Sequence, residues 1–232
     1  MPSDDLRKLA RQQTTPVLTT LLPGTQRWNV IDPLPASGNL GIELGVAAGS
    51  FSARMVQSGR FRLFYGVDVY GDGHNTLEYK KALREVGLES DYRLLRMTFD
   101  QARDLFADRH FDFIYCDGYA HTGEEGGRTL IDWYSRLKPG GIMAGDDYDP
   151  EAWPLVVWAV HHVVAQLGVP LQITDEVSSD AYNRYRSWYF VKPAGPDAPL
   201  HPCAPLMDVA DLEKARVAEV RRKRAKARAA MG

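Results

Sequence analysis

Apolar positions along the chain fall into short continuous runs alternating with stretches of helical spacing. Residues 40–44, Leu-Gly-Ile-Glu-Leu, read as a short buried strand, and residues 50–58 carry the apolar spacing of a helix. Further strands are predicted at 61–68, 92–97, 111–116 and 142–144, with helices at 76–86, 101–106, 126–137 and 153–167. Residues 171–174 and 188–191 read as late strands able to pair antiparallel. Repeated strand–helix units predict an α/β fold of the doubly wound, Rossmann-like type: a mainly parallel sheet, a late antiparallel strand, and helices on both faces.

Outside this alternating region the signals differ. Residues 6–22 suggest one or two short helices, Pro23-Gly24 marks a turn, and residues 25–37 are polar. The organisation expected is an N-terminal helical cap over 1–37, a main domain over 38–195, and a C-terminal linker with a basic helix over 196–232. The tail helix, over 208–230, ends in Arg221-Arg222-Lys223-Arg224. A solvated or frayed helix end is the plainer account of this run and an anionic partner the sharper one, and no function is built on it.

Composition narrows the functional classes. At 232 residues the chain suits one large domain, and 44% hydrophobic with 25% charged residues is ordinary for a soluble globular protein. A formal charge of -2 provides no global field for gathering polyanions, so nucleic acid is not favoured as a partner. Cys116 and Cys203 lie far apart, form neither a disulfide framework nor a Cys-x-x-Cys pair, and suit a reducing cytoplasm. No apolar run approaches the roughly 18 residues of a membrane span, so neither secretion nor membrane insertion is signalled.

The chemistry-bearing signal with the clearest form is Gly41-Ile42-Glu43-Leu44-Gly45-Val46-Ala47-Ala48-Gly49-Ser50-Phe51, between the first strand and its helix. Gly45 and Gly49 permit backbone conformations that a Cβ would obstruct, so a ligand can approach the turn. Glu43 stands where a dinucleotide-binding turn keeps an apolar residue, and its carboxylate can accept hydrogen bonds from an amino-acid ammonium group. Asp68 closes the second strand, 19 residues after Gly49, at the interval where doubly wound folds set an acid on ribose hydroxyls.

On these residues the stretch 40–191 resembles the class I S-adenosylmethionine-dependent methyltransferases. Their first motif is similar to residues 43–49, with Ala47 replacing a glycine often found there. The resemblance implies a cofactor site built from Glu43, Gly45, Ala47, Gly49, Ser50, Phe51, Asp68, Val69, Thr98, Phe99 and Asp117. Glu43, Gly45 and Gly49 would line the methionine part, Asp68 would hold the ribose, and the segment Met97-Thr98-Phe99 would border adenine. Ordinary core packing accounts equally for Met97 and Phe99.

The fourth strand ends in Asp117 and the fifth in Asp146-Asp147. Neighbouring parallel strands would bring these acids together at the carboxyl edge of the sheet, where three close anions need compensation. Magnesium, which takes oxygen ligands and keeps several waters, would supply it. Alternatively Asp146 caps a turn and Asp147 faces solvent. The run from Asp117-Gly118 through Lys138-Pro139-Gly140-Gly141 to Asp146-Asp147-Tyr148 resembles the metal-dependent small-molecule O-methyltransferases, including the macrolide-sugar group. That resemblance implies magnesium or another divalent cation on Asp117, Asp146 and Asp147, holding a hydroxyl of a sugar, glycosylated metabolite or phenol for methyl transfer.

His121, four residues after Asp117, could take the hydroxyl proton near neutral pH. His74 is a second candidate, while the His161-His162 pair lies within a predicted helix and is a poor chelate. Trp133, Tyr148, Trp153 and Trp158 could line an acceptor pocket or belong to the core. The resemblance also implies a homo-oligomer. Alternative readings are a metal-independent methyltransferase, a nicotinamide-dependent oxidoreductase on the same fold, and a noncatalytic binding protein using the basic tail.

Overall fold

The structure is a computed structural model describing residues 2–71, 75–88, 90–119, 122–178, 183–197 and 199–229. Eight strands are β1 (Thr19–Leu22), β2 (Asn39–Leu44), β3 (Phe61–Val67), β4 (Tyr92–Leu95), β5 (Phe111–Cys116), β6 (Leu137–Tyr148), β7 (Leu171–Thr174) and β8 (Arg186–Val191). They form one sheet in the order β1-β7-β8-β6-β5-β2-β3-β4. β8 runs antiparallel to both β6 and β7, with Ile173 opposite Trp188, and the other pairs are parallel. The Rossmann-like architecture and the late antiparallel pairing expected from the sequence are both present.

The helices are α1 (Asp4–Gln13), α2 (Ser50–Gln57), α3 (Thr76–Val86), α4 (Phe99–Arg103), α6 (Arg128–Tyr134), α7 (Pro154–Leu167) and α8 (Ala204–Ala229), with a single turn α5 at Gly123–Gly126. Their boundaries follow local chemistry. Asn75 caps α3 by accepting the amide of Leu77, and Thr98 and Gln101 form a capping box on α4. Pro154 begins α7, and Gly168 ends it in a left-handed conformation.

Every residue of β2 is buried, as a central strand covered on both faces requires. Side-chain alternation on β5 sends Ile114 and Cys116 into a core with Leu130, Trp133, Val156 and Val160 from α6 and α7. Phe113 and Tyr115 point to the opposite face, against Phe51 and Met55 of α2 and Val30 and Ile31 of a 3-10 helix, η1 (Arg27–Ile31).

The N-terminal segment departs from the expected helical cap. Helix formation stops at Gln13, and Thr19–Leu22 adds a parallel edge strand beside β7. β1 is mostly exposed, so it lacks the burial alternation that marks a strand in sequence. The expected helix over 126–137 begins only at Arg128. Before it, Gly123, Glu124, Glu125 and Gly126 all have left-handed φ, from 50° to 73°. α8 starts ahead of residue 208 and docks its first turns through Leu206 and Ala210, both buried. Among the described residues no helix is long and apolar enough to cross a membrane.

Candidate functional site

The site begins at the turn between β2 and α2. Gly45 has φ +98°, and a Cβ there would lie 2.4 Å from the carbonyl oxygen of Asp117; one at Gly49, with φ +87°, would meet the backbone of Ala82 at 2.9 Å. Both glycines are therefore required by the protein's own packing, whether or not a ligand also approaches. Ala47 adopts φ 46°, the conformation for which glycine is the easier residue.

Asp68 organises this turn from the adjacent strand. Its Oδ2 accepts the amides of Val46 and Ala47 at 3.1 and 2.9 Å, and its Oδ1 accepts that of Tyr70 at 3.0 Å. A carboxylate offers about four acceptor positions. Three are thus occupied by backbone, which leaves capacity for one further donor such as a hydroxyl. The Tyr70 hydroxyl donates to the Ala47 carbonyl, fixing the turn from outside.

Glu43 is buried at the end of β2, where the Ser52 hydroxyl donates to it. Burial pushes its carboxyl up to about 8. Ser50 opens α2, but Phe51 belongs to the core and stacks on Tyr115 with ring centroids 3.9 Å apart. Val69 is exposed at the rim. Thr98 is the α4 cap, and Phe99 packs edge-on against Tyr119 above Gly118, where an added Cβ would lie 2.5 Å from the Phe99 ring.

Asp117 follows β5 directly and continues its ladder by donating its amide to the Leu44 carbonyl. Asp146 and Asp147 lie where β6 shifts register against β8, between Gly145 and Tyr148. Such a bulge re-aims side chains, and Asp147 takes the left-handed φ of 58°. The expected gathering of the three acids occurs, since Asp147 feels both Asp117 and Asp146; burial first, then these neighbours, push its carboxyl up to about 9.

The cation at their centre is Arg27 of η1. Its Nη2 donates to Asp117 Oδ2 at 2.6 Å and its Nη1 lies 3.1 Å from Asp146 Oδ2. The guanidinium carbon is 5.0 Å from the Phe51 ring centroid and 5.3 Å from that of Tyr115. Asp146 Oδ1 accepts the Ser187 hydroxyl at 3.0 Å, so both its oxygens are engaged. Burial pulls the Arg27 guanidinium down, but Asp146, Tyr115 and Asp117 outweigh this and hold it firmly protonated.

This arrangement gives no support to magnesium on Asp117, Asp146 and Asp147. Among the described residues no group of three or more His, Cys, Asp or Glu side chains is arranged to hold a metal. The physical reason is that a protein guanidinium already occupies the space between two of the three carboxylates.

A fourth acid was not anticipated. Glu124 is buried on the left-handed turn, its Oε2 has no hydrogen-bond partner among the described residues, and burial followed by Asp117 pushes it up to about 8. Its signal in sequence is the glycine density of Gly123-Glu124-Glu125-Gly126-Gly127. Arg27 has no comparable signal. His121 and His74 lie outside the described residues. His161 is tied to the Tyr148 hydroxyl and the Thr15 carbonyl, both at 2.8 Å.

Residues 40–148 match the family model described as a methyltransferase domain. Among solved structures, the N-methyltransferase NodS from Bradyrhizobium japonicum WM9 is 14% identical with a TM-score of 0.51, over 82% of this chain and 95% of that one. CurJ carbon methyltransferase is 16% identical with a TM-score of 0.51, over 71% and 51%. Spermidine synthase from Thermotoga maritima is 12% identical with a TM-score of 0.54, over 76% and 61%. The chain spans about half the length of several matched structures, including 54% of an S-adenosylmethionine-dependent methyltransferase from Mesorhizobium loti, which is 22% identical over 53% of this chain with a TM-score of 0.41. Comparison with curated protein sequences finds no significant match. Over residues 40–148 the chain thus carries a match to the methyltransferase domain, on a mostly parallel sheet with the Rossmann-like methyltransferase fold.

Proposed function

We propose that the protein is an S-adenosylmethionine-dependent methyltransferase that methylates a hydroxyl of a small molecule. The observation carrying this reading is the charge balance at the sheet edge. Among the described residues, Arg27 pairs there with Asp117 and Asp146 and interacts electrostatically with Glu43 and Asp147, while Glu124 interacts with Asp117. A cofactor with both an ammonium and a sulfonium group fits an edge so rich in carboxyl groups, because a bound cation favours their ionised form. When bound, it supplies an electrophilic methyl group.

Within this reading Glu43 receives the ammonium, Asp68 offers its remaining acceptor position to a ribose hydroxyl, and Val69 and Phe99 flank the base. The acceptor lies against the bulge of β6, where Asp147, once ionised, takes the hydroxyl proton. Its carboxyl, pushed up to about 9, is a stronger base than an ordinary carboxylate, and the positive charge of the bound cofactor favours the ionised form this transfer requires. An amine acceptor at the same edge would be held as an ammonium, without the lone pair needed for attack. This favours oxygen over nitrogen. The divalent metal of the sequence expectation is not retained, because Arg27 already pairs with both Asp117 and Asp146.

The test is incubation with S-adenosylmethionine carrying a carbon-13 methyl group and a panel of diols, sugars, phenols and amines, followed by NMR of the products. Methyl on oxygen is expected, with the rate unchanged by a chelator. Methyl on nitrogen or carbon would refute the hydroxyl assignment. Failure to bind S-adenosylhomocysteine in calorimetry would refute the methyltransferase reading itself.

A further inference from the structure

Arg27 lies outside the 40–148 match, in the polar segment preceding β2, yet its side chain is only 6% exposed and reaches the end of two central strands. Four separate features hold it there. One arm of the guanidinium pairs with Asp117 at 2.6 Å and another with Asp146 at 3.1 Å. Two mutually stacked rings, Phe51 and Tyr115, line its face. Ser187 fixes the far oxygen of Asp146 at 3.0 Å and also lies 3.1 Å from the Tyr115 hydroxyl, so the carboxylate is oriented toward the arginine.

We infer that Arg27 is a positioning residue that stands in for a divalent cation, bridging Asp117 and Asp146 and excluding metal from the acid edge. The inference concerns the protein's own charge arrangement and is independent of which atom accepts the methyl group. A guanidinium has the fork geometry to address two carboxylates at once, and unlike a metal it cannot be chelated away or lost. A divalent ion drawn to Asp117 and Asp147 would face this fixed positive charge and would have to compete for Asp117 Oδ2. Asp146 would become a ligand only by releasing Arg27 or Ser187.

The test is a manganese titration followed by electron paramagnetic resonance on the full chain, alone and with S-adenosylhomocysteine. The native protein is expected to show only weak, nonsaturating binding. Arg27→Met keeps an unbranched apolar stem while removing the charge, and it should acquire a saturable site at least tenfold tighter than the native protein. Adding Asp117→Asn to Arg27→Met should abolish that gain. Arg27→Lys retains a cation and should remain like the native protein.

Stoichiometric, tight manganese binding by the native protein would overturn the inference, and so would a folded Arg27→Met variant with no gain. Should Arg27→Met fail to fold, the native and Arg27→Lys titrations decide: tight binding by either refutes the exclusion of metal, and weak binding by both supports it. None of these readouts depends on turnover. A failed substrate search therefore leaves the inference about Arg27 separately testable.

Discussion

The backbone carbonyl of Asp117 stands 2.4 Å from the point where a side chain on Gly45 would begin. The glycine turn after β2 and the acid at the end of β5 are consequently one packed unit, and a change in either displaces the other. Gly45→Ala must relieve both this overlap and an unfavourable backbone conformation at φ +98°. It is expected to lower the unfolding free energy by about 2–4 kcal/mol, measured by urea denaturation, since strain at such a position and overpacking add. Gly59→Ala, at a site with open space around the glycine but φ +68°, should cost only about 1 kcal/mol.

Asp68 serves three backbone amides, so removing its acceptors should unfasten the turn even without a ligand. Asp68→Ala is expected to destabilise the protein by roughly 2 kcal/mol or more, because buried donors left without acceptors cost about 1–3 kcal/mol. Binding of S-adenosylhomocysteine should weaken at least tenfold. A variant with native stability and native affinity would remove Asp68 from both roles.

Stability should depend on pH through Glu43 and Glu124. Both carboxyls are raised from the usual 4.5 to about 8 by burial, with Asp117 adding to each. Between those values the folded state binds more protons than the unfolded state, so the stability these two groups contribute is full below about pH 4.5 and is lost as pH rises through about 8. Melting temperatures measured across this window should decline, and Glu43→Gln or Glu124→Gln should flatten the decline. If Glu43 receives an ammonium group, ligand binding at pH 7 should release protons, visible as a buffer-dependent enthalpy in calorimetry.

Asp147→Asn should separate binding from proton transfer. It keeps the size of the side chain and its half-buried position on the bulge, so S-adenosylhomocysteine should bind within about threefold of the native affinity. Turnover of the acceptor should fall by about 100-fold or more, the usual scale for loss of a general base. A variant turning over at the native rate would exclude Asp147 as the proton acceptor and direct attention to the segment around His121.

Much of this architecture was legible because strand alternation and helical spacing are local properties. The run from β2 to α2, the acids ending β5 and β6, and the pairing of β7 with β8 all follow from neighbouring residues. β1 was not legible, because an exposed four-residue edge strand has no burial pattern to distinguish it from a loop. Arg27 was hidden for a different reason. Its partner Asp117 lies 90 residues away, and no spacing in the polar stretch around it marks one arginine for burial. The need for a cation among the acids could be read from sequence; its source within the same chain could not. The left-handed turn was readable in part, since Gly123, Gly126 and Gly127 announce unusual backbone, but the inward direction of Glu124 depends on tertiary packing.

The left-handed turn also bears on how divisible the protein is. A Cβ on Gly126 would lie 3.0 Å from the Cα of Met207, and Lys214 pairs with Glu125 at 2.9 Å, so α8 braces the segment carrying Glu124. Arg27 reaches into the same region from the other side of residues 40–148. The stretch recognisable as a methyltransferase domain is thus completed from both flanks. Grafting it into another protein, or exchanging it with a relative's, would preserve the glycine turn while stripping away an internal counter-ion and the brace behind a buried acid. A chimera that respects the structure would have to carry both flanks along.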